Sequence, residues 1–217
     1  MAFFVPNLWL RLPATDLCAM NTLFPIFVKI GQLQTLVVGG GYVGLEKLTA
    51  LLNADPSAPF TLVAPDIRDE IRALAVEHAN ITLIQDRYQP GYLDGHDLVI
   101  VGTNDRAVNR QVQEDCKARK ILVNVADTPD LCDFYLSSVV RKGDLKIAIS
   151  TNGKSPTFAK RFREVLEDIL PESLQETLDN LTAIRSQLKG DFVQKMEKLN
   201  EITSIFKENN RTGKSAD

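Results

Sequence analysis

Three glycines early in the chain have the spacing of a phosphate-binding turn. Gly39, Gly41 and Gly44 follow a short β-branched apolar run and open a segment with helical periodicity. In that context the first glycine permits a tight turn, the second lets the backbone approach a pyrophosphate, and the third lets helix and strand pack closely. The helix N-terminus would then hold the anion. We predict a dinucleotide site here; the alternative is a strand-to-helix turn that binds no nucleotide.

Polar residues at two further predicted strand ends could complete that site. Asp66, in Ala64-Pro65-Asp66, lies where an acid holds the ribose hydroxyls of NAD. No arginine occupies the strand end itself, which favours NAD over NADP, although Arg68 is close enough to keep NADP open. Thr103 and Asn104 follow another predicted strand, at the edge where open α/β sheets bind ligands.

Asp127 follows the next predicted strand at the same edge. A carboxylate there could move protons beside a nicotinamide. Asp-Thr-Pro is also good turn chemistry, so position alone leaves both interpretations open. His78 and His96 share no metal-ligand spacing, and we predict no bound metal.

Apolar runs alternate with helical periodicity through much of the chain. The predicted strands are 35–38, 60–64, 81–84, 97–102 and 121–125, and the helices between them are 42–53, 67–78 and 105–119. This alternation predicts an α/β fold with a Rossmann-type doubly wound parallel sheet.

The pattern changes after the fifth strand. Segments 134–140 and 145–150 predict an antiparallel hairpin with a four-residue loop, 141–144, that contains Gly-Asp. Ser155 is the predicted N-cap of a helix that begins at Pro156 and ends near residue 170. We expect a small α+β dimerisation segment here.

A helical C-terminal tail follows. An apolar stripe from Leu174 to Leu199 predicts packing on a neighbouring surface, and Gly190 is expected to separate two helices. The predicted domains are an N-terminal extension, 1–19; a dinucleotide-binding domain, 20–134; the dimerisation hairpin and helix, 135–170; and the helical tail, 171–217.

Composition restricts the class of protein. A net charge of -3 gives no global sign of nucleic-acid or membrane binding. Three widely spaced cysteines without a C-x-x-C pattern indicate a reducing compartment, and we expect a cytoplasmic protein. Residues 1–19 are too interrupted for a transmembrane helix and lack the basic start of a signal peptide. We expect Met20 to be the true initiator.

Several short segments are together more specific than any one of them. In chain order they are Phe24–Phe27, Val37–Val43, Val63–Pro65, Thr103–Asp105, Val108–Asn109, Asn124–Asp127, Leu131–Phe134, Gly143–Leu145 and Ile149–Pro156. This combination resembles the precorrin-2 dehydrogenase/sirohydrochlorin ferrochelatase family, the dehydrogenase–chelatase part of sirohaem synthase, from Met20 to about Phe206.

The resemblance implies a reaction and a set of site residues. NAD+ would oxidise precorrin-2 to sirohydrochlorin, and Fe2+ would enter the product as a chelation substrate rather than a bound cofactor. The essential aspartate of the family falls on Asp127, and its dinucleotide contacts fall on Tyr42, Val43, Pro65 and Asp66. A homodimer with exchanged middle segments is implied. A dehydrogenase without chelatase activity and a non-catalytic NAD-sensing module are the alternatives.

The implied substrate carries eight carboxylates, so the chain must present local basic groups. A basic cluster lies in the segment expected to line the pocket: Arg141, Lys142, Lys154, Lys160, Arg161 and Arg163. The predicted substrate contacts are Asn124, Ser150, Thr151, Lys154, Ser155 and Arg161. The helix start at Ser155 could cap one carboxylate. For any single basic residue, a solvated surface position is the alternative.

Overall fold

The computed structural model describes residues 23–188 and 192–203. The expectations for residues 1–19, Met20 and Gly190 lie outside the described residues. Two compact units divide between Leu136 and Ser137. In the described residues, no helix is long and apolar enough to cross a bilayer.

The first unit alternates strands and helices. Its strands are β1 (Thr35–Val38), β2 (Phe60–Val63), β3 (Ile81–Ile84), β4 (Leu98–Val101) and β5 (Leu122–Val125), and its helices are α1 (Tyr42–Ala54), α2 (Asp69–Glu77) and α3 (Arg106–Arg119). The strands pair in parallel in the order β3-β2-β1-β4-β5. The predicted Rossmann-type sheet is confirmed.

The central strands are buried on both faces, as expected of a parallel sheet between layers of helices. Successive residues of a strand point to opposite faces, so Val37 and Ile100 join one apolar cluster while Leu36 and Val99 join the other. The helix after β2 starts later than predicted. Arg68 remains extended, with ψ of 149°, because its N–H donates to the Gly40 carbonyl at 3.1 Å.

The second unit pairs a hairpin with helices. Its elements are β6 (Ser138–Lys142), β7 (Leu145–Ile149), α4 (Pro156–Ile169), α5 (Leu174–Gln187) and α6 (Phe192–Thr203). The antiparallel pairing is confirmed, and α4 packs along β6. The N-cap is also confirmed, because the Ser155 hydroxyl accepts from the Phe158 N–H at 3.1 Å.

Two details of the predicted hairpin were wrong. The loop has two residues rather than four, because Arg141 and Lys142 pair with the opposite strand and Gly143 makes the turn with φ of 58°. The first strand begins at Ser138 rather than Phe134. The Phe134 ring packs on the core of the first unit, and its carbonyl accepts a hydrogen bond from Asn124.

Candidate active site

The carboxyl ends of four parallel strands meet at one edge of the first unit. Three backbone hydrogen bonds extend the strand ladders one residue further: Gly39 N–H to Val63 O at 2.9 Å, Gly102 N–H to Val38 O at 2.8 Å, and Ala126 N–H to Val101 O at 2.9 Å. The loops that follow β1, β2, β4 and β5 therefore start level with one another. The strand order reverses between β1 and β4, the switch point where open α/β sheets bind ligands.

Backbone packing explains two of the three predicted glycines. Gly39 has φ of 122°, and a Cβ on it would lie 2.7 Å from the Gly102 carbonyl oxygen. A Cβ on Gly44 would overlap the Gly39 carbonyl oxygen. The start of α1 can therefore lie against the end of β1 only because these residues lack side chains.

Gly41 differs because a Cβ there would meet nothing within 4 Å. It is the N-cap of α1, and no side chain caps the first-turn amides of that helix. Those amides lie next to this open space, where backbone N–H groups and the helix dipole favour an anion. Tyr42 and Val43 form the first turn, and the Tyr42 side chain is 74% exposed.

Two further glycines shape this edge and were missed as site residues. A Cβ on Gly40 would overlap the Asp66 carbonyl oxygen and lie 3.0 Å from Ile67 Cα. A Cβ on Gly102 would lie 3.0 Å from the Gly44 amide nitrogen. Their sequence signals were present: Gly40 completes a run of three glycines, and Gly102 directly follows β4.

The end of β2 lies beside the glycine turn. Pro65 and Asp66 are exposed there, within reach of a ribose held at this edge. The Arg68 guanidinium stacks on the Tyr42 ring, 3.6 Å from its centroid, and pairs with Glu70 at 2.6 Å. The Arg68 hydrogen bond lowers the pKa of the Glu70 carboxyl, so Glu70 is ionised at neutral pH.

A polar network fixes the loop after β4. The Thr103 hydroxyl donates to the side-chain oxygen of buried Asn109, and the Asn109 amide donates to the Thr103 carbonyl at 3.1 Å. Asp105 is the N-cap of α3 and accepts from the Ala107 N–H at 2.9 Å. Asn104 is exposed between these anchors. Asn109 is a third site residue that the sequence did not identify, although Val108–Asn109 belongs to the segments that carry the family resemblance.

Asp127 is exposed in the turn after β5, with a left-handed φ of 55°. Asp is one of the few non-glycine residues that visits this region routinely. Adjacent strands lie about 4.8 Å apart, so three spacings put Asp127 on the order of 14 Å from the end of β2. An extended dinucleotide has room to run from Asp66 past the glycine turn toward this carboxylate.

Hydrogen bonds to residues of the following loop fix the end of β5, directly before Asp127. The Cys132 thiol donates to the Val125 carbonyl at 3.1 Å, and the Val125 N–H lies 3.2 Å from the same sulfur. Burial raises the pKa of Cys132, which keeps it a neutral thiol. Asn124 is buried, and its amide donates to the Phe134 carbonyl at 2.8 Å. The structure thus gives Asn124 a supporting contact, and its predicted contact with substrate stays a prediction.

The other predicted substrate residues belong to the second unit. The Thr151 hydroxyl oxygen accepts from the Ser155 N–H at 3.0 Å, and the Ser150 hydroxyl oxygen accepts from the Asn152 N–H at 3.2 Å. Lys154 is exposed in the same loop. Arg161 lies on α4, 75% exposed, and pairs with Glu164 at 2.8 Å. The structure brings the loop residues together and leaves Arg161 beyond them on the helix.

Each of the two units matches a known protein family over most or part of its length. The family described as "Putative NAD(P)-binding" matches residues 26–138, and the one described as "Sirohaem biosynthesis protein central" matches residues 142–169. The chain belongs to the family described as putative NAD(P)-binding. The family resemblance predicted from the sequence is confirmed.

Individual proteins that are similar to this chain are named as siroheme synthases. The chain is 41% identical over 171 residues to a siroheme synthase of Psychrobacter sp., and 36% identical over 180 residues to that of Tolumonas auensis. These alignments cover 79% and 83% of the chain but 34% and 36% of the relatives, so the chain spans about a third of their length. A solved structure described as "SirC, precorrin-2 dehydrogenase" matches with a TM-score of 0.66 and 28% identity, covering 83% of this chain and 89% of that one.

A dinucleotide fits the residues that this family member presents. A Cβ on Gly41 would meet nothing within 4 Å, so the backbone there is open to the approach of a pyrophosphate, and the exposed acid at the end of β2 is the expected ribose partner. In the described ranges, no group of three or more His, Cys, Asp or Glu side chains is arranged to hold a metal ion.

Proposed function

We propose that the protein oxidises precorrin-2 to sirohydrochlorin with NAD+. The observation that carries this proposal is the shared sheet edge: an open glycine cradle and an exposed left-handed aspartate lie two strands apart, on β1 and β5 with β4 between. A binding module needs only the cradle. The relatives named as siroheme synthases and the structure named as a precorrin-2 dehydrogenase support the choice of substrate.

The first unit supplies the cofactor site in this proposal. The α1 amides after Gly41, at Tyr42 and Val43, bind the pyrophosphate. Asp66, beside Pro65, holds the ribose hydroxyls of the adenosine, and the rigid loop with Thr103 and Asn104 lines the nicotinamide half. When bound there, NAD+ would supply the hydride acceptor for the oxidation of the tetrapyrrole. Gly39 and Gly44 act indirectly, because they allow the helix to approach the strand.

Asp127 is the proposed catalytic residue. The oxidation removes a hydride and a proton from the substrate, and the proton needs a base beside the nicotinamide. The Asp127 carboxylate is solvent-accessible, directly follows a strand of the ligand-binding edge, and accepts that proton in our scheme. The network through Cys132 and Asn124 keeps its backbone in place.

The second unit supplies the proposed substrate contacts. Ser150, Thr151 and Ser155 present polar atoms from one short loop, and Lys154 adds a positive charge to it. Arg161 offers a guanidinium for a second carboxylate, provided that it leaves Glu164. This ion pair is exposed to solvent and therefore weak, so an anionic substrate can displace Glu164 at little cost.

Insertion of Fe2+ into sirohydrochlorin is a second proposed activity, with Asp127 accepting the displaced pyrrole protons. Dehydrogenation alone and NAD sensing without catalysis are the competing functions. Anaerobic incubation with precorrin-2 and NAD+, followed by addition of Fe2+ or Co2+, separates them. NADH and sirohydrochlorin must appear in equal amounts in the first step. Failure of both to appear refutes the enzyme, and failure of metal uptake after the first step leaves a dehydrogenase.

We also propose a homodimer formed through the second unit. One side of α4 exposes an apolar stripe, with Phe158 59%, Val165 51% and Ile169 66% accessible. Phe158 and Phe162 stack with their centroids 5.9 Å apart, which gives the stripe a flat aromatic end. A second copy covering this surface would remove that apolar area from water. We also propose a cytoplasmic location, which is supported by the wide spacing of the three cysteines in the sequence.

A further inference from the structure

A three-residue cluster lies at the end of β2, beside the glycine turn. Arg68 is its centre: the side chain is 28% exposed, stacks on Tyr42 and pairs with Glu70. Its backbone N–H donates to Gly40 O, which ties the cluster to the turn itself. The guanidinium therefore lies between the start of α1 and the end of β2, the region that receives the adenosine ribose of a dinucleotide.

An arginine in this region ordinarily favours NADP, because its forked donors fit a 2′-phosphate. Here the guanidinium is already engaged on two sides. A terminal nitrogen of Arg68 donates a hydrogen bond to the Glu70 carboxylate at 2.6 Å, and the guanidinium lies over the face of the Tyr42 ring. The Arg68 Nε is buried and has no hydrogen-bond partner among the described residues. The arrangement holds the positive charge flat against the protein.

We propose that Glu70 biases the preference toward NAD+ over NADP+ by holding Arg68 against Tyr42, so that the guanidinium must leave this ion pair before it can turn to a 2′-phosphate. Glu70 is a positioning residue that acts through Arg68, and it adds a second carboxylate beside Asp66. The inference rests on the proposed use of NAD+. The low pKa of Glu70, caused by the Arg68 hydrogen bond, keeps the carboxylate charged at neutral pH.

The size of the effect follows from exposure. Glu70 is 54% exposed, so its ion pair is weak and screened by solvent. Releasing Arg68 should therefore improve NADP+ binding by about 1.4- to fivefold while NAD+ binding stays unchanged. If Glu70 had a purely structural role, Glu70→Gln would weaken the binding of both dinucleotides or of neither.

The test is calorimetric titration of the full chain with NAD+ and with NADP+, for wild type, Glu70→Gln and Arg68→Ala/Glu70→Gln. Glu46→Gln is the matched control, since Glu46 is an exposed acid on α1 that pairs with Lys47 at 2.8 Å and has the same charge change. We expect Glu70→Gln alone to shift the affinity ratio toward NADP+. The double variant should lose the gain, because the arginine that binds the 2′-phosphate is gone.

Three outcomes would overturn the inference. An unchanged ratio in Glu70→Gln, an equal shift in Glu46→Gln, or persistence of the shift in the double variant would each show that Arg68 is not the group released. In each of these three outcomes, the proposed function still stands as long as the wild-type chain binds NAD+. A wild-type chain that binds neither dinucleotide would instead refute the proposed function, and this inference with it.

Discussion

Replacing Asp127 separates its chemistry from its backbone role. The residue has φ of 55°, so a substitution changes both the carboxylate and the cost of a left-handed backbone. Asp127→Asn keeps the shape of the side chain and a residue type that tolerates this region, and Asp127→Gly removes the side chain without strain. Asp127→Ala adds a left-handed penalty of about 1–2 kcal/mol.

These differences predict a pattern across three variants. All three should lose precorrin-2 oxidation by about 10²–10⁴, the usual contribution of a general base. Only the Ala variant should also melt lower, by roughly 2–8 °C for that penalty in a chain of this size. NAD+ affinity should stay at the wild-type value in the Asn and Gly variants, because the proposed pyrophosphate and ribose contacts lie on other loops.

The assay is anaerobic turnover with NADH detected by absorbance, alongside thermal unfolding and NAD+ titration of each variant. Asp130→Asn is the control, since it removes one exposed carboxylate from the same stretch of chain without touching Asp127. Turnover by Asp127→Asn close to the wild-type rate would refute the reasoning. Asp127 would then be only a turn residue, and the proton would pass to solvent or to the carboxylates of the substrate.

Three further predictions concern the cradle, the assembly and a buried thiol. Gly41→Asp puts a carboxylate in the open space of the cradle and should abolish NAD+ binding by calorimetry; Gly91→Asp, also in open space, should leave it unchanged. Phe158→Ser with Phe162→Ser should convert a sedimenting dimer to a monomer, and a wild-type chain that sediments as a monomer would contradict the proposed interface. Burial raises the pKa of Cys116 from 9.0 to about 12, so the folded state favours the neutral thiol. The free energy of unfolding should therefore fall as pH rises from about 9 toward 12, and Cys116→Ala should flatten that slope in denaturant titrations.

Local signals in the sequence determined the elements of this protein. A β-branched apolar run followed by glycines is typical of a buried strand. Ser155 before Pro156 is typical of the N-cap and first position of a helix. The glycine spacing likewise reports a turn that forms within six residues. Such features depend on neighbours in the chain, and for that reason they can be inferred without a fold.

Tertiary structure decided what those elements bring together. Gly39 lies against Gly102, 63 positions away in the sequence, and Arg68 lies on Tyr42 only because β2 pairs with β1. Periodicity does not encode which strands become neighbours, nor that Asn124 points inward to Phe134. The same holds for Asp127: the sequence supplied a carboxylate after a strand, and the strand order placed it on the edge with the glycine turn. Long-range pairing is a property of the whole packed core, where each contact depends on all the others.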